Sequence, residues 1–222
     1  MSNEKETLPI AQQGYDLFIH AMSLHAANDP IGQLIQAKQV LRPDGLMLCV
    51  ALGGETLSEL RKATLTAETK LRGGASPRVF PMADLRDYGA LLQRAGFTLP
   101  VADRLTLSVE HATLFALARD LRAMGETNTL LGRDDGITNR TFWEEVAAQY
   151  PKNAETGYLR TTFEFVFLSG WAPHPEQPNP LRPGSVKTGL ATAIENARNA
   201  TSGPQDAIDP EAQTPRSRKE TE

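Results

Sequence analysis

The side chains of this sequence best suited to proton transfer or ligation are four histidines, His20, His25, His111 and His174, and a single cysteine, Cys49. The histidines show no metal-ligand spacing. Imidazoles exchange protons near neutral pH, which makes His25 a candidate general base. A packed or capping histidine is the other reading, since no carboxylate partner can be assigned to it from spacing alone. Cys49 lies inside Leu46-Met47-Leu48-Cys49-Val50 and reads as a buried, inert thiol rather than a nucleophile. One cysteine excludes an internal disulfide framework and a cysteine-rich metal site. Arg122, Glu126 and Asn128 form a dense polar cluster where a helix meets a loop, and can position a substrate or cap the helix end. Ser76-Pro77-Arg78 can take an anion, or serve only as a loop-to-helix connector. Gly53-Gly54 is not a phosphate loop, because no Lys-Ser/Thr comes after it.

These residues must be held by an α/β framework. In the stretch Tyr15-Asp16-Leu17-Phe18-Ile19-His20 the residues Asp16 to Ile19, like Leu46 to Leu52, form a continuous apolar run, the pattern of central strands of a parallel sheet covered on both faces. Between them Asp29 caps a helix that starts at Pro30, with Ile31, Leu34, Ile35 and Leu41 as its buried stripe, and Arg42-Pro43-Asp44-Gly45 turns the chain back. Strand, crossover helix and strand make a βαβ unit. Small-molecule sites in such folds sit at the carboxyl ends of the strands. Thr56-Leu57-Ser58-Glu59 reads as a capping box opening a helix that Gly73-Gly74 stops. A further helix is expected over Met82 to Ala95, with Gly96 at its end. Leu105, Leu107 and Val109 alternate with Thr106, Ser108 and Glu110, as in a strand with one wet face. Helices through Leu114 to Met124 and Phe142 to Tyr150 come next, then a strand over Thr161 to Leu168 with Phe163, Phe165 and Phe167 on one side. Trp171 after it can be a structural lid over the sheet or a ligand contact. Residues 1–174 are expected to form the folded domain. Residues 175–222 are Pro-rich and expected to be mostly disordered, with a short helix near Leu190 to Ala197.

The 222 residues allow one ordinary domain with extensions or two small ones. A formal net charge of −4 gives no electrostatic case for nucleic acid. No run approaches the ~20 apolar residues of a membrane-spanning helix. Met1 to Glu6 lacks the apolar core of a signal peptide, so the cytoplasm is the expected compartment.

Leu8-Pro9-Ile10, Tyr15-Asp16-Leu17, Leu24-His25, Asn28-Asp29 and Leu41-Arg42-Pro43-Asp44-Gly45-Leu46 together resemble the later half of type 11 class I S-adenosylmethionine-dependent methyltransferases. Later motifs narrow the resemblance. Glu55-Thr56-Leu57 with Glu59-Leu60-Arg61, Gly74-Ala75-Ser76-Pro77-Arg78-Val79, Leu92-Gln93-Arg94-Ala95-Gly96-Phe97, Asp120 to Asn128 and Gly170-Trp171-Ala172-Pro173 are similar to bacterial relatives of a mitochondrial complex I assembly factor. That factor has a methyltransferase fold and is associated with hydroxylation of an arginine on a complex I subunit. The similarity runs from about Glu4 to Gly184.

The resemblance implies the C-terminal half of a Rossmann-like class I methyltransferase fold, with about four strands and flanking helices. It implies S-adenosylmethionine as cofactor and a protein substrate or complex I subunit as partner. Cofactor contacts carried over from the family fall on Glu4, Lys5, His20 and Ala21; a strand-end His20 that simply meets solvent is the alternative. The family's tryptophan after the Leu24-His25 pair is replaced by Ala26-Ala27. Among 17 glycines there is no Gly-x-Gly, the element with which the family grips the amino-acid end of the cofactor. Impaired cofactor binding is therefore expected, as is a four-stranded sheet whose Tyr15 to His20 edge is open to a partner. Methyl transfer helped mainly by positioning is the implied mechanism. A non-catalytic, partner-binding assembly protein is the alternative.

Overall fold

Asp29 caps the first helix through its own side chain, whose carboxylate accepts the Gly32 N–H at 2.8 Å, and Pro30 fills the first helical position. In the computed structural model, which describes residues 7–8, 14–74, 76–130, 132–133, 136 and 138–177, this helix α1 (Pro30–Val40) links two parallel strands, β1 (Tyr15–Ala21) and β2 (Leu41–Leu52). The expected βαβ unit is present. The tail beyond Gln177, with the helix expected near Leu190, lies outside the described residues.

Arg42 to Gly45 do not end the strand system but loop out within β2. Tyr15 pairs with Leu41 and Leu17 with Leu46, so four β2 residues stand against one of β1, and Asp44 takes the left-handed conformation at φ 59°.

Helix α2 (Ser58–Arg72) comes after β2 and ends on Gly73 at φ 68°, where a side chain would be strained. The expected capping box at its start does not form. Thr56 and Glu59 instead reach across to β4 (Leu159–Trp171): the Thr56 hydroxyl donates to the Glu164 carbonyl and accepts the Glu164 N–H, and the Glu59 carboxylate accepts the Thr162 N–H and hydroxyl. Satisfying strand groups in the interior outweighs capping a helix end that water can serve. Helix α3 (Leu85–Ala95) starts three residues later than expected, because Asp84 accepts the Asp87 N–H and sets the boundary. It is succeeded by β3 (Thr98–His111), α4 (Leu114–Ala123), α5 (Arg140–Gln149) and β4.

The sheet order is β1-β2-β4-β3, with β4 antiparallel to both neighbours. The continuous apolar run of Leu46 to Leu52 is interior, as expected. The Tyr15 to His20 run, expected as a central strand, is instead an edge among the described strands, and it leaves Tyr15, Leu17 and Ile19 exposed. Helices α1 and α3 cover one face, burying Leu34, Ala37, Tyr88 and Leu92 against Met47, Cys49, Val166 and Leu168. A second cluster gathers α2, α4 and α5 around Leu159 and Phe163. The three phenylalanines of β4 share one face as expected, but their burial fades along the strand: Phe163 is 6% exposed and Phe167 45%. The alternation in β3 does not mark a buried face. Leu105, Leu107 and Val109 are exposed along with their polar neighbours, on a strand that is the other edge of the described sheet.

Candidate functional site

The carboxyl ends of β1 and β2 lie side by side, and the chain leaves both under unusual restraint. After Ala21, Met22 adopts φ 53° while its N–H donates to the Val50 carbonyl at 2.8 Å. A left-handed non-glycine residue costs about 1–2 kcal/mol, so the turn is imposed by the segment beyond it. That segment is a short 3₁₀ turn, Leu24–Ala26, whose Leu24 and His25 are buried.

His25 is a clamp. Its Nδ1 accepts the Leu52 N–H at 3.4 Å, and its Nε2 lies 2.9 Å from Oε1 of Glu126, in the loop after α4. Because Leu52 can only donate, Nε2 carries a proton and donates it to the carboxylate. Both ring nitrogens are committed, which leaves no free lone pair for general-base work. The packed reading of His25 is the one the structure supports, and the carboxylate that spacing could not assign is Glu126.

The β2–α2 loop is fixed just as firmly. The Leu52 carbonyl accepts the Tyr88 hydroxyl at 3.0 Å. Burial, with the nearby Cys49 and Glu164, pushes the Tyr88 phenol well above its ordinary range, so Tyr88 stays a donor. Gly53 donates its N–H to the Glu164 carbonyl at 2.8 Å, and a side chain on Gly53 would meet Oε2 of Glu164 at 2.5 Å. The buried Glu164 carboxylate accepts the Glu55 N–H at 3.0 Å and has Arg104 at 3.5 Å. Arg61 donates to the carbonyls of Gly54 and Thr56. Gly53-Gly54 is a pinned corner.

The polar cluster near residue 126 is divided among separate tasks. Glu126 holds His25, Asn128 donates to the Pro77 carbonyl at 2.9 Å, and Arg122 is exposed on α4. Ser76 and Arg78 belong to the connector reading: both bond the buried Glu68, and Arg78 also meets the Thr138 hydroxyl and stacks 4.5 Å from the Phe142 ring. Trp171 is part of β4 and 38% exposed. His111 bonds Thr161 and lies 3.5 Å from Asp120, and His174 is 3.7 Å from Asp44. Among the described residues no three metal-ligating side chains converge.

Of the positions expected to meet the cofactor, Ala21 is exposed at the end of β1, and His20 is buried with Nε2 2.9 Å from Oε1 of Gln33 on α1. Glu4 and Lys5 lie outside the described residues.

No family model matches the chain. Among curated proteins it is 36% identical to the mitochondrial arginine-hydroxylase NDUFAF5 of Dictyostelium discoideum, over 80% of this chain and 41% of that protein. To the Homo sapiens protein of the same name it is 35% identical, over 82% and 53%. It is also 34% identical to the malonyl-[acyl-carrier protein] O-methyltransferase of Laribacter hongkongensis, over 76% and 54%. The chain therefore spans about half the length of the curated relatives it matches. Among solved structures, the YcgJ protein of Bacillus subtilis aligns with a TM-score of 0.47 and 11% identity, over 76% of this chain and 68% of that one. No helix among the described residues is long and apolar enough to cross a membrane. In sequence the chain is related to the proteins named arginine-hydroxylase NDUFAF5 and malonyl-[acyl-carrier protein] O-methyltransferase.

Proposed function

We propose that this is an S-adenosylmethionine-dependent methyltransferase-family protein that acts on a protein side chain during respiratory complex I assembly, working in the cytoplasm. The observation that carries the reading is the similarity to the NDUFAF5 proteins over about four-fifths of this chain. The pinned strand ends around His25 and Gly53 support it, since positioning is the main service such a fold provides to group transfer. When bound, the cofactor supplies the methyl group. Ala21, His20, Glu4 and Lys5 line its adenosine side in this proposal, and the restrained corners after β1 and β2 keep that wall rigid. The proposal includes weak binding by these 222 residues, because they contain no Gly-x-Gly. Two charged hydrogen bonds normally made by a glycine-rich turn contribute roughly 3–6 kcal/mol together, about two to four decades of affinity.

Titration calorimetry of the chain with S-adenosylmethionine tests the cofactor claim. Micromolar affinity would refute the impaired-binding part. Incubation with complex I subunits, read by peptide mass spectrometry, tests the activity. A methyl added to a side chain supports the proposal, an added oxygen assigns hydroxylation as named for the relatives, and an unmodified subunit overturns both. Among the described residues β1 pairs only with β2, and that edge favours one second reading, a non-catalytic assembly protein that binds a partner through it.

A further inference from the structure

The loop that interrupts the β1–β2 ladder carries the dipeptide Asp44-Gly45, and the fold constrains both residues. Asp44 sits at φ 59°, a backbone conformation that strains most L residues and that aspartate tolerates better than most. A side chain on Gly45 would place its Cβ 2.8 Å from the Arg42 carbonyl oxygen and 3.0 Å from the Leu41 side chain, so position 45 has to stay bare.

These two requirements bring together a chemically labile pair. An aspartyl carboxyl can be attacked by the nitrogen of the next peptide group, and a side chain on that next residue crowds the nitrogen. Glycine leaves it open. The Asp44 side chain is 53% exposed, with one carboxylate oxygen 3.7 Å from Nδ1 of His174. Residues 42 to 45 loop out of the ladder, Tyr15 pairing with Leu41 and Leu17 with Leu46, so the loop can rearrange for ring closure without moving the register on either side.

We propose that Asp44-Gly45 is a site of spontaneous succinimide formation and that the fold steers the product to D-aspartate at position 44. The Gly45 nitrogen bonds to Cγ of Asp44, a Cγ–O bond of the protonated carboxyl breaks, and the departing hydroxyl leaves with the amide proton as one molecule of water. The imide then exchanges the proton on Cα of residue 44 with solvent, and its return on the other face inverts that centre. Water adds back to the ring. Opening at the Cγ carbonyl restores the ordinary α-linked backbone, and opening at the α-carbonyl leaves isoaspartate, with one more carbon in the main chain.

The structure discriminates among these products. The Asp44 N–H donates to the Ala172 carbonyl at 3.2 Å, and the Gly45 carbonyl accepts the Ala172 N–H at 2.8 Å. Both bonds bracket the backbone of residues 44 and 45, so a main chain longer by one carbon loses their spacing. An α-linked aspartate of either hand keeps it. A D residue has mirror-image preferences, so the strain that φ 59° imposes on L-aspartate disappears. Because ring closure and opening recur, the form that the fold holds best accumulates. The left-handed penalty corresponds to about tenfold in favour of D-aspartate over L-aspartate at this position.

Incubating the intact chain for weeks at neutral pH and body temperature in water labelled with heavy oxygen, then digesting it with trypsin, tests this. The peptide spanning residues 39–61 carries the site, since trypsin does not cut between Arg42 and Pro43. Synthetic versions with L-aspartate, D-aspartate, L-isoaspartate or D-isoaspartate at position 44 are the chromatographic standards. The L-aspartate peptide, incubated free in solution, gives the same chemistry without the fold. Heavy oxygen is expected at residue 44 in both samples, with D-aspartate the main new form in the intact chain and isoaspartate the main one in the free peptide. Asp44→Glu, whose longer side chain closes a ring far more slowly, should take up no label at position 44, and circular dichroism checks that both chains stay folded throughout. An intact chain without label at residue 44 beside a labelled free peptide would overturn the proposal. So would isoaspartate predominating in the intact chain, or the same ratio of products in chain and peptide.

Discussion

Oε1 of Glu126 lies 2.9 Å from Nε2 of His25 although 101 residues separate them in sequence. The bond joins the turn after β1 to the loop after α4, and through Nδ1 to the end of β2. Replacing His25 with Ala strands the Leu52 N–H and a carboxylate at once, and should destabilise the fold by about 2–3 kcal/mol. Glu126→Gln keeps an acceptor and should lose about 1 kcal/mol. Urea unfolding of the two variants measures both, and a base in the reaction would instead show a large rate loss with little change in stability.

Thr56 offers a sharper structural test. Its hydroxyl bonds both the carbonyl and the N–H of Glu164 in a fully buried position. Thr56→Val preserves shape and removes both bonds, with an expected loss of about 2 kcal/mol, whereas Thr56→Ser should retain most of the stability. Equal effects from the two substitutions would show that packing of the methyl group matters more than the bonds.

Glu68 should give the fold an acid-sensitive limb. Burial works against its charge, but the Ser76 N–H and hydroxyl and the Arg78 guanidinium outweigh that and hold the carboxyl below its ordinary 4.5. A depressed carboxyl contributes stability that is fully present above its unfolded value and is lost as pH falls from there through the folded value. Denaturation followed from pH 7 down to pH 3 should show this loss in the native protein, and Glu68→Gln should flatten that limb while lowering stability at pH 7.

Cys49 should be silent to thiol reagents. Burial pushes its thiol up to about 12, and it is 4% exposed between α1, α3 and the sheet. Labelling with a chromogenic disulfide at pH 8 should be negligible in the native chain and complete in denaturant. Rapid native labelling would mean that this core opens locally on the timescale of the reaction.

Gly53→Ala should be costly despite its size. The added methyl meets the Glu164 carboxylate at 2.5 Å and the Val166 side chain at 2.8 Å, both in a buried corner. A loss of about 1–3 kcal/mol is expected, read as a drop in melting temperature. Gly74, which meets nothing within 4 Å, is the control.

What the sequence made legible was chemistry closed within a few residues. Asp29-Pro30 started a helix, Gly73 and Gly96 stopped two, and the run from Leu46 to Leu52 declared an interior strand. Partnerships made across the sheet were hidden. Thr56 and Glu59 have the spacing of a capping box, yet their partners Glu164 and Thr162 lie more than 100 residues on and win because they are buried. The alternation of β3 marks a strand, but burial is a property of what lies over a face, and Leu105, Leu107 and Val109 are exposed on this edge strand. His25 was recognisable as a packed residue in principle; its acid was not, because nothing local points from residue 25 to residue 126.

Strand β4 is inserted between β2 and β3, and among the described residues it alone supplies strand side chains to both core clusters, Val166 and Leu168 to one and Leu159 and Phe163 to the other. The piece that completes both halves is therefore the last described strand to be translated. During synthesis β1, α1 and β2 can associate early, but β2 and β3 have no shared ladder until residue 171 has cleared the ribosome. Until then the nascent chain exposes the inner edges of two strands at once, so its vulnerability to aggregation and its need for chaperones are concentrated in the interval before β4 emerges.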